Sequence, residues 1–142
     1  MLSFLAQAGA QTIVDADTVD VAGQRMRLHG IDVPDEKQTC GNGKWFPRSE
    51  ATAALIKYVG DRKLDCFQVG FNYKAHMPEA LCFAGTADLQ AFLLANGWAW
   101  VVRPGSLRYI DLERNAEKLR LGVHGHDCLR ADRWRRRNIA PN

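Results

Sequence analysis

A run of alternating apolar and polar residues between positions 13 and 35, IVDADTVDVAGQRMRLHGIDVPD, constrains the fold more than any other part of this chain. The alternation has the period of two that half-buried β-strands show, and it is broken at Ala22-Gly23 and Pro34, where the chain must turn. We therefore predict three short strands joined by tight turns. The strand ends carry a guanidinium and four carboxylates, namely Arg27, Asp15, Asp17, Asp32 and Asp35.

These carboxylates allow two interpretations. Aspartates beside turns commonly bond their own backbone, so each one taken singly is best interpreted as a turn residue. Hard cations such as calcium are bound by carboxylate and carbonyl oxygens, and carboxylates at the ends of neighbouring strands can supply several such ligands. The joint pattern therefore favours a metal site, with a guanidinium nearby to bind an anion.

The charge of the chain is uneven. Its 142 residues carry a net charge of +3, but ten Lys and Arg residues against five Asp and Glu follow from position 103 onward, which leaves −2 for the preceding part. A basic region beside an acidic one suits a protein that binds a polyanion and a cation. No apolar run approaches the length of a transmembrane helix, and the length predicts one domain.

Helical periodicity predicts three helices, near Pro47–Val59, Asp88–Asn96 and Tyr109–Leu121. Proline suits the first turn of a helix, and the glycines that follow all three segments suit helix ends. Strand-like segments at 63–69 and 79–85 lie between the first two helices. The order strand–strand–strand–helix–strand–strand–helix–helix predicts an α+β domain that is mainly β.

Several motifs follow one another in a distinctive order. They are D-x-D-T-V, R-L-x-G-I-D-x-P and Q-T-C, then G-W-A-W and a helix that ends in L-G-V, and they lie within a match that runs from about Thr12 to about Val123. This set resembles the staphylococcal nuclease (thermonuclease) family. The resemblance implies a small five-stranded β-barrel of the OB type with three helices, and calcium-dependent hydrolysis of DNA and RNA. It divides the chain into an N-terminal tail or signal-peptide remnant (1–11), a nuclease-like domain (12–124) and a basic C-terminal tail (125–142).

The resemblance also assigns roles to individual residues. Asp17, Asp32 and the carbonyl of Val33 match the calcium ligands of the family, and Arg27 matches a phosphate donor. Asp35 stands where the family has the glutamate that positions or activates the attacking water. The resemblance therefore implies weak calcium binding and a nucleic-acid partner, single-stranded DNA or RNA.

The chain departs from the family in the loop G-F-N-Y-K-A-H-M-P. Active members have a phosphate-binding arginine in this loop, but alignment places either Ala75 or Met77 at its position. Lys74 and His76 are nearby and are candidates to bind substrate instead, although lysine lacks the planar fork of arginine. Arg103, a third substrate-binding candidate, lies where active relatives present a tyrosine to the nucleotide.

These departures predict that cleavage is weak or absent. Losing one preorganised donor typically costs about 10²–10³ in rate, and the aspartate at position 35 has a shorter side chain than the glutamate that it replaces. The alternative is a catalytically inactive module that keeps the nuclease fold to bind nucleic acid or protein. Because Asp17, Asp32 and Arg27 are retained, we predict a divergent nuclease with an impaired site.

Four cysteines, Cys40, Cys66, Cys82 and Cys128, permit two disulfides in three connectivities. Cys66 and Cys82 fall in two strand-like segments, and adjacent antiparallel strands can bring such a pair within bonding distance. Exported members of the family often have a bridge here, whereas the usual family partner of Cys40 is missing, which leaves Cys128 as its candidate partner. The alternative is four thiols in a reducing cytosol. We predict both bridges and a periplasmic or secreted protein.

Overall fold

The computed structural model describes residues 10–138, which form a mixture of α and β structure. The strands are β1 (Gln11–Asp15), β2 (Thr18–Val21), β3 (Gln24–Leu28), β4 (Ile31–Asp32), β5 (Leu64–Asn72), β6 (Met77–Ala84), β7 (Ala87–Asp88) and β8 (Trp100–Val101). The helices are α1 (Pro47–Val59), α2 (Leu89–Ala95), α3 (Leu107–Lys118) and α4 (Ala131–Arg137), with a 3-10 helix at Gly122–Gly125. The predicted α+β class is therefore confirmed.

The larger sheet begins with an antiparallel meander of β1, β2 and β3, and its order is β1-β2-β3-β6-β5, with β7 paired to β6. β3 and β6 run parallel, whereas β5 and β6 form a long antiparallel hairpin. β4 and β8 form a separate two-stranded sheet. Backbone pairing does not close these strands into a barrel within residues 10–138, so the OB barrel stays a prediction.

Both predicted disulfides are present. Cys66 and Cys82 face each other in register across the β5–β6 hairpin, with their Cα atoms 4.1 Å apart. Cys40 and Cys128 are separated by 88 residues in the sequence, yet their Cα atoms lie 4.8 Å apart. The second bridge fixes the segment before α4 against the loop that precedes α1.

The first helix begins and ends where the sequence predicts. Its buried residues after the initial proline are Ala51, Leu55 and Val59, whose spacing of four places them on one face of the helix, against the core. Gly60 follows with a φ of +56°, a backbone conformation that glycine adopts readily, and the helix ends there. Arg48, in the first turn of α1, bonds to Asp15 at the end of β1. The first turn of the helix therefore lies near the end of this strand.

The next two helices differ slightly from their predicted bounds. α2 is shorter at both ends, and Asp88 lies just outside it as a cap that accepts a hydrogen bond from the Ala91 N–H. α3 begins before the predicted Tyr109, because the Ser106 hydroxyl caps it in the same way by accepting from the Tyr109 N–H. It ends at Lys118, before the predicted end.

The structure describes residues 125–138 of the predicted basic C-terminal tail, and these residues pack against the rest of the domain. They include α4, a helix that the sequence did not predict, and its first residue Ala131 is fully buried. The Gln38 side-chain amide donates to the carbonyl of Leu129 at 2.8 Å, just after the Cys128 bridge. A disulfide, a buried side chain and a polar contact therefore hold this arginine-rich segment on the domain.

The hydrophobic core lies between the larger sheet and helices α1 and α2. Val19, Leu55 and Leu93 are fully buried in it, one from each of these three components. Within residues 10–138, no helix has the length and apolar character needed to cross a membrane. The predicted N-terminal tail or signal-peptide remnant falls largely outside the described residues, although Gln11 already belongs to β1.

Candidate functional site

A polar cleft of about 500 Å³ lies where the turn between β1 and β2 meets the loop after β4 and the β5–β6 turn. Residues that the sequence assigned to the site line much of it: Asp17, Arg27, Val33, Asp35 and Lys74. Arg48 of α1 and Arg135 of α4, which the sequence did not assign to the site, also line it. We refer to this space as the cleft.

A second cavity of about 410 Å³ adjoins the cleft. The two spaces have Asp17, Arg27 and Arg135 as common lining residues. Asp32 and Arg103, two more residues predicted for the site, line this second cavity. Because the same three side chains line both spaces, we describe the cleft and the second cavity as one site.

The three candidate substrate-binding residues of the sequence analysis have different positions. Lys74 borders the cleft, whereas His76 is exposed in the same turn and lines neither cavity. Arg103 borders the second cavity, and its guanidinium donates to the buried carboxylate of Glu113 at 3.2 Å. The structure therefore brings Lys74 and Arg103 to the site, but not His76.

Strand register places Arg27 beside Asp17. Thr18 on β2 pairs directly with Arg27 on β3, so the residue that precedes β2 lies against the arginine side chain. Arg27 Nη2 donates to Asp17 Oδ2 at 2.7 Å, and the Thr18 hydroxyl donates to Asp17 Oδ1 at 2.8 Å. The Asp17 N–H donates to Asp15 Oδ1 at 3.1 Å, the turn contact that aspartates favour. Asp15 is thus a turn residue, and Asp17 is part of the site.

Asp17 is buried, yet its pKa is low. Burial by itself raises the pKa, but hydrogen bonding with Asp15 and Arg27 and the positive charge of Arg48 outweigh burial and lower it to about 2. The pKa of Asp15 is instead raised, first by burial and then by its contact with Asp17, while Arg48 acts in the opposite direction. The negative charge of this pair is therefore concentrated on Asp17.

Arg48 is a residue of the candidate site that the sequence did not indicate. It leaves the first turn of α1 and donates to Asp15 Oδ2 at 2.7 Å, to Asp17 Oδ1 at 3.3 Å and to the Pro34 carbonyl at 2.8 Å. Burial acts to lower its pKa, but the negative charges of Asp17 and Asp15 raise it. No motif marks Arg48, because its contacts depend on how α1 docks against the strand ends.

Arg135 is the second guanidinium that was missed. It extends from α4, its Nη2 donates to Asp32 Oδ2 at 2.7 Å, and its Nη1 lies 3.8 Å from Asp35 Oδ2. Burial raises the pKa of Asp32, while the hydrogen bond and charge of Arg135 act to lower it. The available signal was the spacing of Ala131 and Trp134, three residues apart as on one face of a helix, within the run of arginines.

The predicted calcium ligands do not form an open cation site. Asp17 is bonded to Arg27 and Arg48, and Asp32 is bonded to Arg135. Across residues 10–138, no group of three or more acidic, histidine or cysteine side chains lies close enough together to hold a metal ion. Hard cations need several available oxygen ligands, so these residues, as arranged, do not fit a resident calcium ion. Calcium binding stays a prediction.

The arrangement has the chemistry of an anion site. Arg27, Arg48 and Arg135 surround the cleft with guanidiniums, and Lys74 adds an ammonium group at its rim. A guanidinium offers several N–H donors in a plane, a geometry that matches the oxygens of phosphate. The carboxylates fix the guanidiniums in place, which reduces the entropy lost when an anion binds.

Comparison with known proteins gives little information on family. No protein-family model matches this chain. A stretch of 32 residues is 41% identical to part of the succinoglycan biosynthesis protein ExoI of Rhizobium meliloti (strain 1021). The match covers 22% of this chain and 17% of that protein, so this chain spans much less than two thirds of the relative. A similarity this short does not assign the chain to a family.

Proposed function

We propose that this chain is a staphylococcal-nuclease-like domain that binds the phosphate backbone of single-stranded DNA or RNA in its cleft, and whose phosphodiester hydrolysis is weak or lost. One observation carries the proposal. Asp17, Arg27, Val33, Asp35 and Lys74 were all assigned from the sequence, and all line the same cleft. They come from four parts of the chain, namely the β1–β2 turn, β3, the loop after β4 and the β5–β6 turn.

The strand arrangement supports an OB-type barrel, which is a partly open barrel of five strands. The meander of β1 to β3, the parallel contact of β3 with β6 and the β5–β6 hairpin follow one another in the order expected for such a barrel. One side chain bridges the remaining gap between β1 and β5, because Gln11 donates to the Arg62 carbonyl at 2.6 Å and accepts from the Leu64 N–H at 2.7 Å. We propose that the barrel closes along this seam through side-chain bonds.

Two exposed aromatic rings close in sequence to Lys74 favour a single-stranded partner. Tyr73 is 81% exposed and Phe71 is 42% exposed, and their ring centroids are 4.9 Å apart. Both precede Lys74, whose side chain borders the cleft. Unpaired bases can stack on such rings while cationic side chains hold the phosphates. Because stacking accepts any base, the proposed binding tolerates different sequences.

Contacts around Asp35 support weak hydrolysis. Its carboxylate accepts a hydrogen bond from the Lys37 N–H at 3.1 Å and lies 3.8 Å from Arg135, so it is held in structural contacts. A general base must reach the water that it activates. In the β5–β6 turn, Ala75 lines the cleft where an alignment on the neighbouring tyrosine places the family arginine. Loss of that donor alone should reduce the rate by about 10²–10³.

The second candidate function is a binding module without any hydrolysis, for nucleic acid or protein. It is favoured because both carboxylates that the resemblance assigns to calcium, Asp17 and Asp32, already bond to arginines. When the ligand is nucleic acid, the two candidates share the binding property and differ only in whether cleavage is detectable.

We also propose that the protein functions in an oxidising compartment, the periplasm or the cell exterior. Two disulfides support this placement, because such bonds are rare in a reducing cytosol. Mass spectrometry of the unreduced protein, trapped with an alkylating reagent in its own cells, should find no alkylated cysteine. Four alkylated thiols would contradict the placement.

Fluorescence anisotropy with a labelled single-stranded oligonucleotide tests the binding. We expect binding that weakens as salt rises, because phosphate contacts release counterions. Lys74→Ala should weaken it by about tenfold, the loss typical of one charge-assisted contact. Lys118→Ala, an exposed lysine of α3 that lines neither cavity, is the matched control and should bind as the wild type does. Absence of salt-dependent binding by the wild type would contradict the proposal.

A cleavage assay on DNA and RNA with calcium separates the two candidates. We expect weak digestion or none. Weak digestion that disappears in Asp32→Ala favours the impaired nuclease, and complete absence favours the binding module. Robust digestion by the wild type would show that the site is not impaired.

A further inference from the structure

We infer that Arg135 takes the place of a divalent cation beside Asp32 and Asp35, so that the cleft binds phosphate without a metal. This inference concerns the same site as the proposed function and rests on it for the identity of the ligand, a nucleic-acid phosphate. The exclusion of cations by Arg135 does not rest on the proposed function, because it follows from the ion pairs of Arg135 with Asp32 and Asp35.

The guanidinium of Arg135 occupies the carboxylate oxygens that a cation would need. Its Nη2 donates to Asp32 Oδ2 at 2.7 Å, and its Nη1 lies 3.8 Å from Asp35 Oδ2. The Asp32 side chain is only 24% exposed, so a cation can approach its carboxylate oxygens from few directions. A cation would have to displace a charge-assisted hydrogen bond and place a second positive charge beside the first.

The packing of α4 holds Arg135 in this position. Ala131, one turn earlier on the same helix, is fully buried. Arg130 donates to the Val101 carbonyl at 2.9 Å, and Cys128 is bonded to Cys40. The helix cannot leave the site without breaking these contacts, so the positive charge of Arg135 stays at the site.

The other donors of Arg135 face a space suited to an anion. A guanidinium has five N–H donors in a plane, and the contacts with two carboxylates use only part of them. The Arg135 side chain is 41% exposed and lines the cleft together with Arg27 and Lys74. A phosphate oxygen is the complementary ligand for donors arranged in this way.

Calcium titration by calorimetry tests the exclusion of cations. The wild type should bind calcium weakly, and Arg135→Ala should bind it about tenfold more tightly or better, because two carboxylates gain free oxygens. Arg136→Ala is the matched control, since Arg136 lies on the same helix, is 69% exposed and pairs with Asp132. It should bind calcium as the wild type does. Adding Asp32→Asn to Arg135→Ala should remove the gain.

Arg135→Gln is a second variant that removes the charge but keeps a polar side chain, and circular dichroism melting shows which variants fold. A higher calcium affinity in a folded neutral variant supports the inference. Equal affinities in the wild type and in the folded neutral variants would overturn it, as would an equal gain in Arg136→Ala.

Oligonucleotide binding in EDTA tests the phosphate-binding role. The wild type should bind labelled single-stranded DNA in EDTA, and Arg135→Ala should bind about tenfold more weakly, with calcium restoring part of the loss. If the wild type binds only when calcium is present, metal-free binding is overturned. If it binds under neither condition, the proposed function fails, whereas the calcium titration still decides whether Arg135 acts as the resident cation.

Discussion

At the scale of single residues, the site is a network in which carboxylates and guanidiniums fix one another. Asp17 bonds to Arg27 and Arg48, and Asp32 bonds to Arg135. Because arginine stays charged under all ordinary conditions, removing one carboxylate leaves a positive charge without its partner. Each side chain therefore contributes to stability, and under the proposed function it also contributes to anion binding.

Replacing Asp17 by asparagine should lower the free energy of unfolding at pH 7 by about 3 kcal/mol, the lower end of the cost of breaking a buried ion pair. The lower end applies because Arg27 retains some contact with solvent, with 34% of its side chain exposed. Urea unfolding measures the change. Asp20→Asn breaks an exposed pair with Arg25 and should leave the free energy of unfolding close to that of the wild type, because solvent screens exposed ion pairs.

The effect of Asp17→Asn should depend on pH. The fold lowers the pKa of Asp17 from 3.8 to about 2, so the carboxylate stabilises the folded state above pH 3.8. This contribution is lost as the pH falls through the folded-state pKa of about 2. The difference between wild type and variant should therefore shrink between pH 4 and pH 2, and a constant difference would contradict the assignment.

At the scale of elements, two glycines allow the end of α2 to touch the 3-10 helix. Gly97, shortly after the end of α2, has a φ of +76°, and Gly122, the first residue of the 3-10 helix, has a φ of +52°. The Val123 N–H donates to the Gly97 carbonyl at 2.8 Å. A Cβ atom on Gly97 would overlap the carbonyl oxygen of Leu121. Only glycine fits both the conformation and the close approach.

Gly97→Ala should therefore destabilise the protein by about 3 kcal/mol, the sum of left-handed backbone strain and overpacking. Gly23→Ala is the matched control, because Gly23 has a similar φ of +81° but open space around the added Cβ. Its cost should be the strain alone, about 1 kcal/mol. Thermal or urea unfolding measures both, and equal losses would show that the contact with Leu121 contributes nothing.

At the scale of the whole molecule, contacts between distant parts of the chain assemble the site. The Cys40–Cys128 bridge and the bond from Gln38 to the Leu129 carbonyl connect the loop before α1 to the segment before α4. These contacts set the position of α4, and α4 carries Arg135 to the strand ends. The stability of the site therefore depends on contacts made by the C-terminal part of the described chain.

Removing the Cys40–Cys128 bridge by a double alanine substitution should cost about 4.6 kcal/mol, against about 3 kcal/mol for the Cys66–Cys82 bridge, because the longer loop gains more entropy in the unfolded chain. The bridges span 88 and 16 residues. Amide hydrogen exchange should also show α4 losing protection in the first variant only. Equal protection of α4 in both variants would contradict its proposed anchoring.

Local patterns in the sequence were sufficient for the α+β class, the bounds of α1 and the Cys66–Cys82 bridge, because each depends on residues close in sequence or on neighbouring strands. The Cys40–Cys128 bridge joins residues 88 apart, and it was predicted by elimination, since the family resemblance left Cys40 without its usual partner. Local patterns were not sufficient for Arg48 and Arg135. Arg48 meets Asp15 across 33 residues and Arg135 meets Asp32 across 103. An arginine that bonds a distant carboxylate has the same local sequence as one that faces water. Only the docking of α1 and α4 against the strand ends decides which of the two it is.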